Sequence, residues 1–186
     1  PGLKRVENSY GAEPYDSPRG RTILSVRDLP SARIVTAKGV TAASRTETTA
    51  EHGEAIVFSA TNGGAAARGA WASLTRAFEG PKYFDGNVNP GGSNVVATTW
   101  IRGDGSGALL NVQLENPREH GSAWQEHYVK LDFTGWKYFE FSFRENDADK
   151  WDDYVWPYKD WVGIFHRTVF RARIGAINVY LNEVPA

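Results

Sequence analysis

Cysteine is absent from this chain, which excludes disulfides, thiolate metal sites and a cysteine nucleophile together. Methionine is absent as well, and the opening Pro1-Gly2-Leu3 reads as the start of an excised segment. No apolar run approaches the roughly 20 residues of a spanning helix, and no signal peptide is visible, so a membrane is not an expected partner. A surplus of one charge is also missing. Lys plus Arg number 21 against 22 Asp plus Glu, and the basic residues are scattered. No net field draws the chain to nucleic acid. Helix signals are scarce: the alanine-rich stretch 65–72 is interrupted by Gly69 and lacks a cap. No internal period of 20–50 residues is present, which disfavours a propeller or solenoid.

Aromatic residues are plentiful instead, with 7 Trp, 8 Tyr and 9 Phe among 19 Gly and 9 Pro. That mixture belongs to short strands joined by many turns. Residues 1–20, with Pro14, Pro18 and Gly20 and no periodicity, read as an extended arm or linker; 21–186 read as a single domain. Strand patterns fall at 22–29, 33–36, 54–61, 69–78, 95–102, 108–115, 126–133, 136–144, 163–171 and 175–184. Their spacing of about ten residues, with Gly or Pro between them, predicts a sandwich or barrel.

Alternation along these strands separates two kinds of face. Leu110, Val112 and Leu114 oppose Asn111, Gln113 and Glu115. Val129, Leu131 and Phe133 oppose Tyr128, Lys130 and Asp132. The row Phe139, Phe141 and Phe143 opposes Tyr138, Glu140 and Ser142, and Ile177, Val179 and Leu181 oppose Asn178, Tyr180 and Asn182. Trp136 and the phenylalanine row are expected inside. If the strands are neighbours, Asn111, Gln113, Glu115, Lys130, Glu140, Asn178 and Tyr180 form a polar platform, whose ordinary reading is the solvated side of an antiparallel sheet.

The segment 146–161 holds five aromatics and five aspartates, and Pro157 argues against a central strand. Trp151, Trp156, Tyr158 and Trp161 either plug a sheet edge or form an exposed lip. A pyranose offers a face of axial C–H bonds that stacks on indole or phenol and a rim of hydroxyls that bind amides, carboxylates and cations. The loop and the platform supply both kinds of partner, so a polysaccharide or oligosaccharide is the expected ligand. Asp147, Asp149, Asp152 and Asp153 are hard oxygen donors of the kind Ca²⁺ takes, without the glycine and distal glutamate of an EF-hand loop. A structural Ca²⁺ therefore stays open, and no other cofactor is expected.

Signals for catalysis are thin. Residues 103–107 (GDGSG) make a tight turn and not a nucleophile elbow, because Asp104 stands where that motif needs glycine. His52, His120, His127 and His166 lack zinc spacing. Glu115 with Glu140 is the carboxylate pair that glycoside hydrolysis would need if both lie on one face.

Three passages resemble galactose-binding-like β-sandwich domains: residues 100–114 (WIRGDGSGALLNVQL), 128–139 (YVKLDFTGWKYF) and 179–185 (VYLNEVP). The resemblance implies an all-β, two-sheet antiparallel β-sandwich of jelly-roll topology. It further implies a non-catalytic carbohydrate-binding module of a secreted, cell-surface or periplasmic polysaccharide-active enzyme, in contact with other domains of its parent chain. Two alternatives remain at this stage, a structural interdomain sandwich and a catalytic lyase or hydrolase.

Overall fold

A computed structural model describes residues 22–64, 66–82, 95–118, 121–143 and 174–186. The chain is all-β, with antiparallel sheets. The described strands are β1 (Arg33–Thr36), β2 (Val40–Thr49), β3 (Gly53–Asn62), β4 (Trp71–Lys82), β5 (Val95–Asp104), β6 (Leu109–Arg118), β7 (Gly121–Lys130), β8 (Thr134–Phe143) and β9 (Ile174–Asn182). Five of them form one sheet in the order β1-β4-β9-β6-β7, while β2 pairs with β3 and β5 with β8.

Register turns the sequence alternation into two faces of the five-stranded sheet. Leu74, Val179, Val112 and His127 line up across one face. Thr75, Asn178, Gln113 and Glu126 line up across the other. The first face enters the main core, where Leu110, Val112, Leu114, Val129, Ile177 and Leu181 cluster with Phe139 and Phe141 of β8. His127 of β7 meets Phe141 at 5.6 Å between ring centroids, and Phe139 and Phe141 lie nearly parallel, 9° apart. Both phenylalanines are fully buried, which stabilises the fold by about 2–3 kcal/mol each.

The chain crosses between sheets twice in this region, and the two crossings bind each other. The turn from β5 to β6 donates from the Gly105 and Gly107 amides to the Phe133 and Leu131 carbonyls. The Leu131 amide, in the passage from β7 to β8, donates back to the Ala108 carbonyl. Gly105 and Gly107 have φ of +74° and +76°, a left-handed conformation that side chains resist. Asp104 Oδ1 accepts from the Ser106 amide at 2.9 Å, closing the turn. Thus the two longest passages that resemble the galactose-binding-like domains are spatial neighbours.

Several expectations are corrected. Residues 22–29 do not form a strand; Val26–Ser31 is a 3₁₀ helix. Asp28 stops the extended run by accepting from both the amide and the hydroxyl of Ser25, and it also pairs with Arg76 Nε at 2.7 Å. Strand β2 carried no expectation, because Val40–Thr49 is built from Thr, Ala and Ser without a large apolar row. Strand β4 continues past the Gly80-Pro81 break to Lys82 through a register shift after Ala77. Trp136 does not join the phenylalanine row. It lies on the opposite face of β8, half-buried, with its ring against His52. The arm at 1–20, the strand at 163–171 and the whole segment 146–161 lie outside the described residues.

Candidate functional site

The polar face of the five-stranded sheet is the richest constellation among the described residues. Its strands place side chains in cross-sheet rows. One row runs Trp71, Asn182, Leu109, Lys130. The next runs Val35, Ser73, Tyr180, Asn111, Tyr128, and the third Arg33, Thr75, Asn178, Gln113, Glu126.

The third row is a continuous hydrogen-bonded chain over four strands. Thr75 Oγ1 donates to Asn178 Oδ1 at 2.7 Å, Asn178 Nδ2 to Gln113 Oε1 at 2.7 Å, and Gln113 Nε2 to Glu126 Oε1 at 2.8 Å. Glu126 also accepts from Asn111 Nδ2 at 3.0 Å and from the Tyr128 hydroxyl at 2.7 Å. Three donors on one carboxylate, 3% exposed, offset much of the cost of burying it.

This arrangement orients Asn111. Its amide nitrogen is committed to Glu126, while its Oδ1 has no hydrogen-bond partner among the described residues. Asn182, one row away, is wholly buried, and neither its Oδ1 nor its Nδ2 has a partner among them. A buried amide left unbonded costs on the order of 1–3 kcal/mol, so these two amides are the unmet hydrogen-bonding demand of this face. Beside them, the half-buried rings of Trp71 and Tyr180 sit 5.8 Å apart at 55°. Burial first, then the Glu126 and Glu115 charges, push the Tyr180 hydroxyl up to about 12, against a smaller pull from Arg33 and the Ser73 hydrogen bond. Tyr180 is consequently a neutral phenol over the ordinary pH range.

The sheet brings Asn111, Gln113, Glu115, Lys130, Asn178 and Tyr180 onto one face, as their alternation requires. It does not bring Glu140 there. Glu140 lies on β8 opposite Thr98 of β5, in a separate two-stranded sheet, which dissolves the Glu115–Glu140 carboxylate pair as a same-face arrangement. The face is also not solvated as expected: Asn111, Gln113 and Asn178 are buried, Glu115 and Tyr180 are half-buried, and Lys130 is exposed. Hydrogen bonding among the side chains themselves is what permits this closure. Trp151, Trp156, Tyr158 and Trp161, with Asp147, Asp149, Asp152 and Asp153, lie outside the described residues.

Glu126, Trp71, Thr75 and Asn182 were not among the expected site residues. Their signal was the same two-residue spacing, in Glu126/Tyr128/Lys130, Trp71/Ser73/Thr75 and Asn178/Tyr180/Asn182. Among the described residues no three His, Asp or Glu gather as a metal site. Arg33 and Lys130 are exposed on opposite edge strands, and Glu115 is half-buried on the interior strand β6. No protein-family model, curated protein or solved structure matches the chain.

Proposed function

We propose that this chain is a non-catalytic carbohydrate-binding domain with jelly-roll, galactose-binding-like topology, targeting a larger secreted polysaccharide-active protein. The observation that carries the reading is the pair of buried amides, Asn111 and Asn182, with unused hydrogen-bonding groups beside the Trp71–Tyr180 rings. Two acceptors and one donor suit vicinal hydroxyls, which both give and take hydrogen bonds. The rings supply the stacking surface for the C–H face of the same sugar. The hydrogen-bonded row from Thr75 to Glu126 positions Asn111 beneath them. Arg33, Lys130 and the half-buried Glu115 give this face mixed charge, which suits a neutral glycan better than a polyanion. Binding is weak to moderate, because sugar hydroxyls exchange bonds with water for similar bonds with protein.

Affinity gel electrophoresis of the 186-residue chain through gels containing different polysaccharides tests this directly. Retardation by at least one polysaccharide is expected, and Asn182→Ala should reduce it about tenfold, the loss of one or two ligand hydrogen bonds. Mobility unchanged in every polysaccharide at high load sinks the proposal. The closed row favours a second reading, a scaffold between domains of a parent protein. That reading predicts that Asn182→Ala and Trp71→Ala alter stability alone, with no polysaccharide retarding either variant or the parent chain.

A further inference from the structure

The two-stranded β5–β8 sheet presents a distinct aromatic surface. On β5 and β8 the residues opposite the phenylalanine row are Thr98, Trp100 and Arg102, paired with Glu140, Tyr138 and Trp136. Trp100 is 37% exposed, which leaves a large indole surface in water. It is not an isolated ring. His52, in the turn between β2 and β3, lies 4.4 Å from Trp100 at 30° and 4.6 Å from Trp136 at 66°, and Tyr138 lies 5.5 Å from Trp100. His52 therefore braces both indoles and limits the rotamers open to Trp100.

Polar groups rim this cluster. Arg102 Nη1 lies 3.6 Å from Glu47 Oε1, and Arg45 Nη2 lies 2.7 Å from Glu47 Oε2. Both arginines are more than half exposed, and exposed pairs of this kind are held weakly, so their donors and acceptor exchange readily with another polar partner. Glu47 and Glu140 balance Arg45 and Arg102, which disfavours a polyanion. The two guanidinium groups disfavour a quaternary ammonium ion, which otherwise suits an aromatic cluster. A flat indole, a brace behind it, and mixed donors and acceptors at its rim fit an uncharged sugar ring.

We propose that the exposed part of this β5–β8 face, at Trp100 and Arg102, is a second sugar-contact surface. Trp100 stacks on the ring, Arg102 and Glu47 take its hydroxyls, and His52 is a positioning residue. The choice of a sugar rests on the carbohydrate reading above, whereas the location is independent of it. Two contact surfaces on different sheets let one domain engage two stretches of polysaccharide, raising apparent affinity for a polymer above that for a short oligomer.

The test follows the indole N–H and amide resonances of the full chain by NMR, adding cellohexaose, mannohexaose, xylohexaose or galactohexaose in turn, and choline chloride separately. With at least one hexaose the Trp100 indole resonance is expected to move. Trp100→Ala should weaken that hexaose at this surface about tenfold, read from the Trp136 indole. Asn182→Ala should leave the Trp100 response unchanged. Arg102→Ala, an exposed position, carries the same test should Trp100→Ala lose the folded spectrum. Shifts confined to Trp71 and Asn182 would overturn the second surface and leave the first standing. A Trp100 response to choline and to no hexaose would make it a cation site instead, and silence of both surfaces toward every hexaose would remove both proposals.

Discussion

A methyl group placed on Gly103 would overlap the Phe133 carbonyl oxygen and the Phe133 ring, both held by the paired crossings between sheets. Gly103→Ala is therefore expected to cost about 3 kcal/mol, the upper end for overpacking against backbone, seen as a lower urea midpoint with unchanged slope. Gly39, with φ of +81° and open space around its would-be side chain, should cost only about 1 kcal/mol as alanine in the same assay. Tyr180 makes a pH prediction. Its proton is held up to about 12 in the folded chain against 10.0 for a free phenol. Above pH 10 the unfolded chain releases this proton while the folded chain keeps it, so stability falls as pH rises through that window and is fully present below it. Tyr180→Phe should flatten this fall, removing about 2 kcal/mol of alkaline destabilisation in unfolding curves at pH 9 to 12.

Elements here are joined by polar side chains as much as by apolar ones. The row from Thr75 to Glu126 ties β4, β9, β6 and β7 in one register, because a shift of one residue would send every member to the apolar face. Removing its terminus by Glu126→Ala strands donors on Asn111, Gln113 and Tyr128, and a loss of about 3–5 kcal/mol is expected in chemical unfolding. Glu126→Gln keeps the shape and an acceptor for Asn111 and Gln113, while its amide nitrogen meets the Tyr128 hydroxyl, which must turn to accept; the change should cost about half as much. The 3₁₀ helix is fastened to β4 by the Arg76–Asp28 pair, both partners mostly buried. Asp28→Ala should cost about 1–2 kcal/mol, because Arg76 keeps its bond to the Ile23 carbonyl and Ser25 loses its acceptor. A double-mutant cycle with Arg76→Ala separates the ion pair from the cap.

At the scale of the whole molecule, the five-stranded sheet has two faces of unlike chemistry: a buried one of aliphatic and phenyl groups, and a polar one whose amides and Glu126 are buried while Arg33 and Lys130 stay exposed. An antiparallel sheet more often leaves its polar face wet. The proposed sugar contacts divide accordingly, at the half-buried Trp71 and Tyr180 of this face and at the exposed Trp100 of the β5–β8 sheet. Polysaccharide retardation of the parent chain, reduced separately by Asn182→Ala and Trp100→Ala and further by both together, is the expected whole-molecule signature.

The faces of residues 110–114, 139–141 and 177–182 were legible in the sequence by itself, because alternation with a period of two is a local property of extended backbone, whereas β2, built of small and polar residues, carried no such signal. Asn111 and Gln113 could be put on one face, and Phe139 and Phe141 on another, without any knowledge of neighbours. The turn at 103–107 was legible for a similar reason, since its glycines and Asp104 act within a few residues. Tertiary structure alone decided which strands pair. That choice put Glu140 in a different sheet from Glu115, brought Glu126 within reach of three donors, and set Trp136 against His52. Strand pairing is a contest among distant segments for hydrogen bonds and buried area, and no short window of sequence contains its outcome.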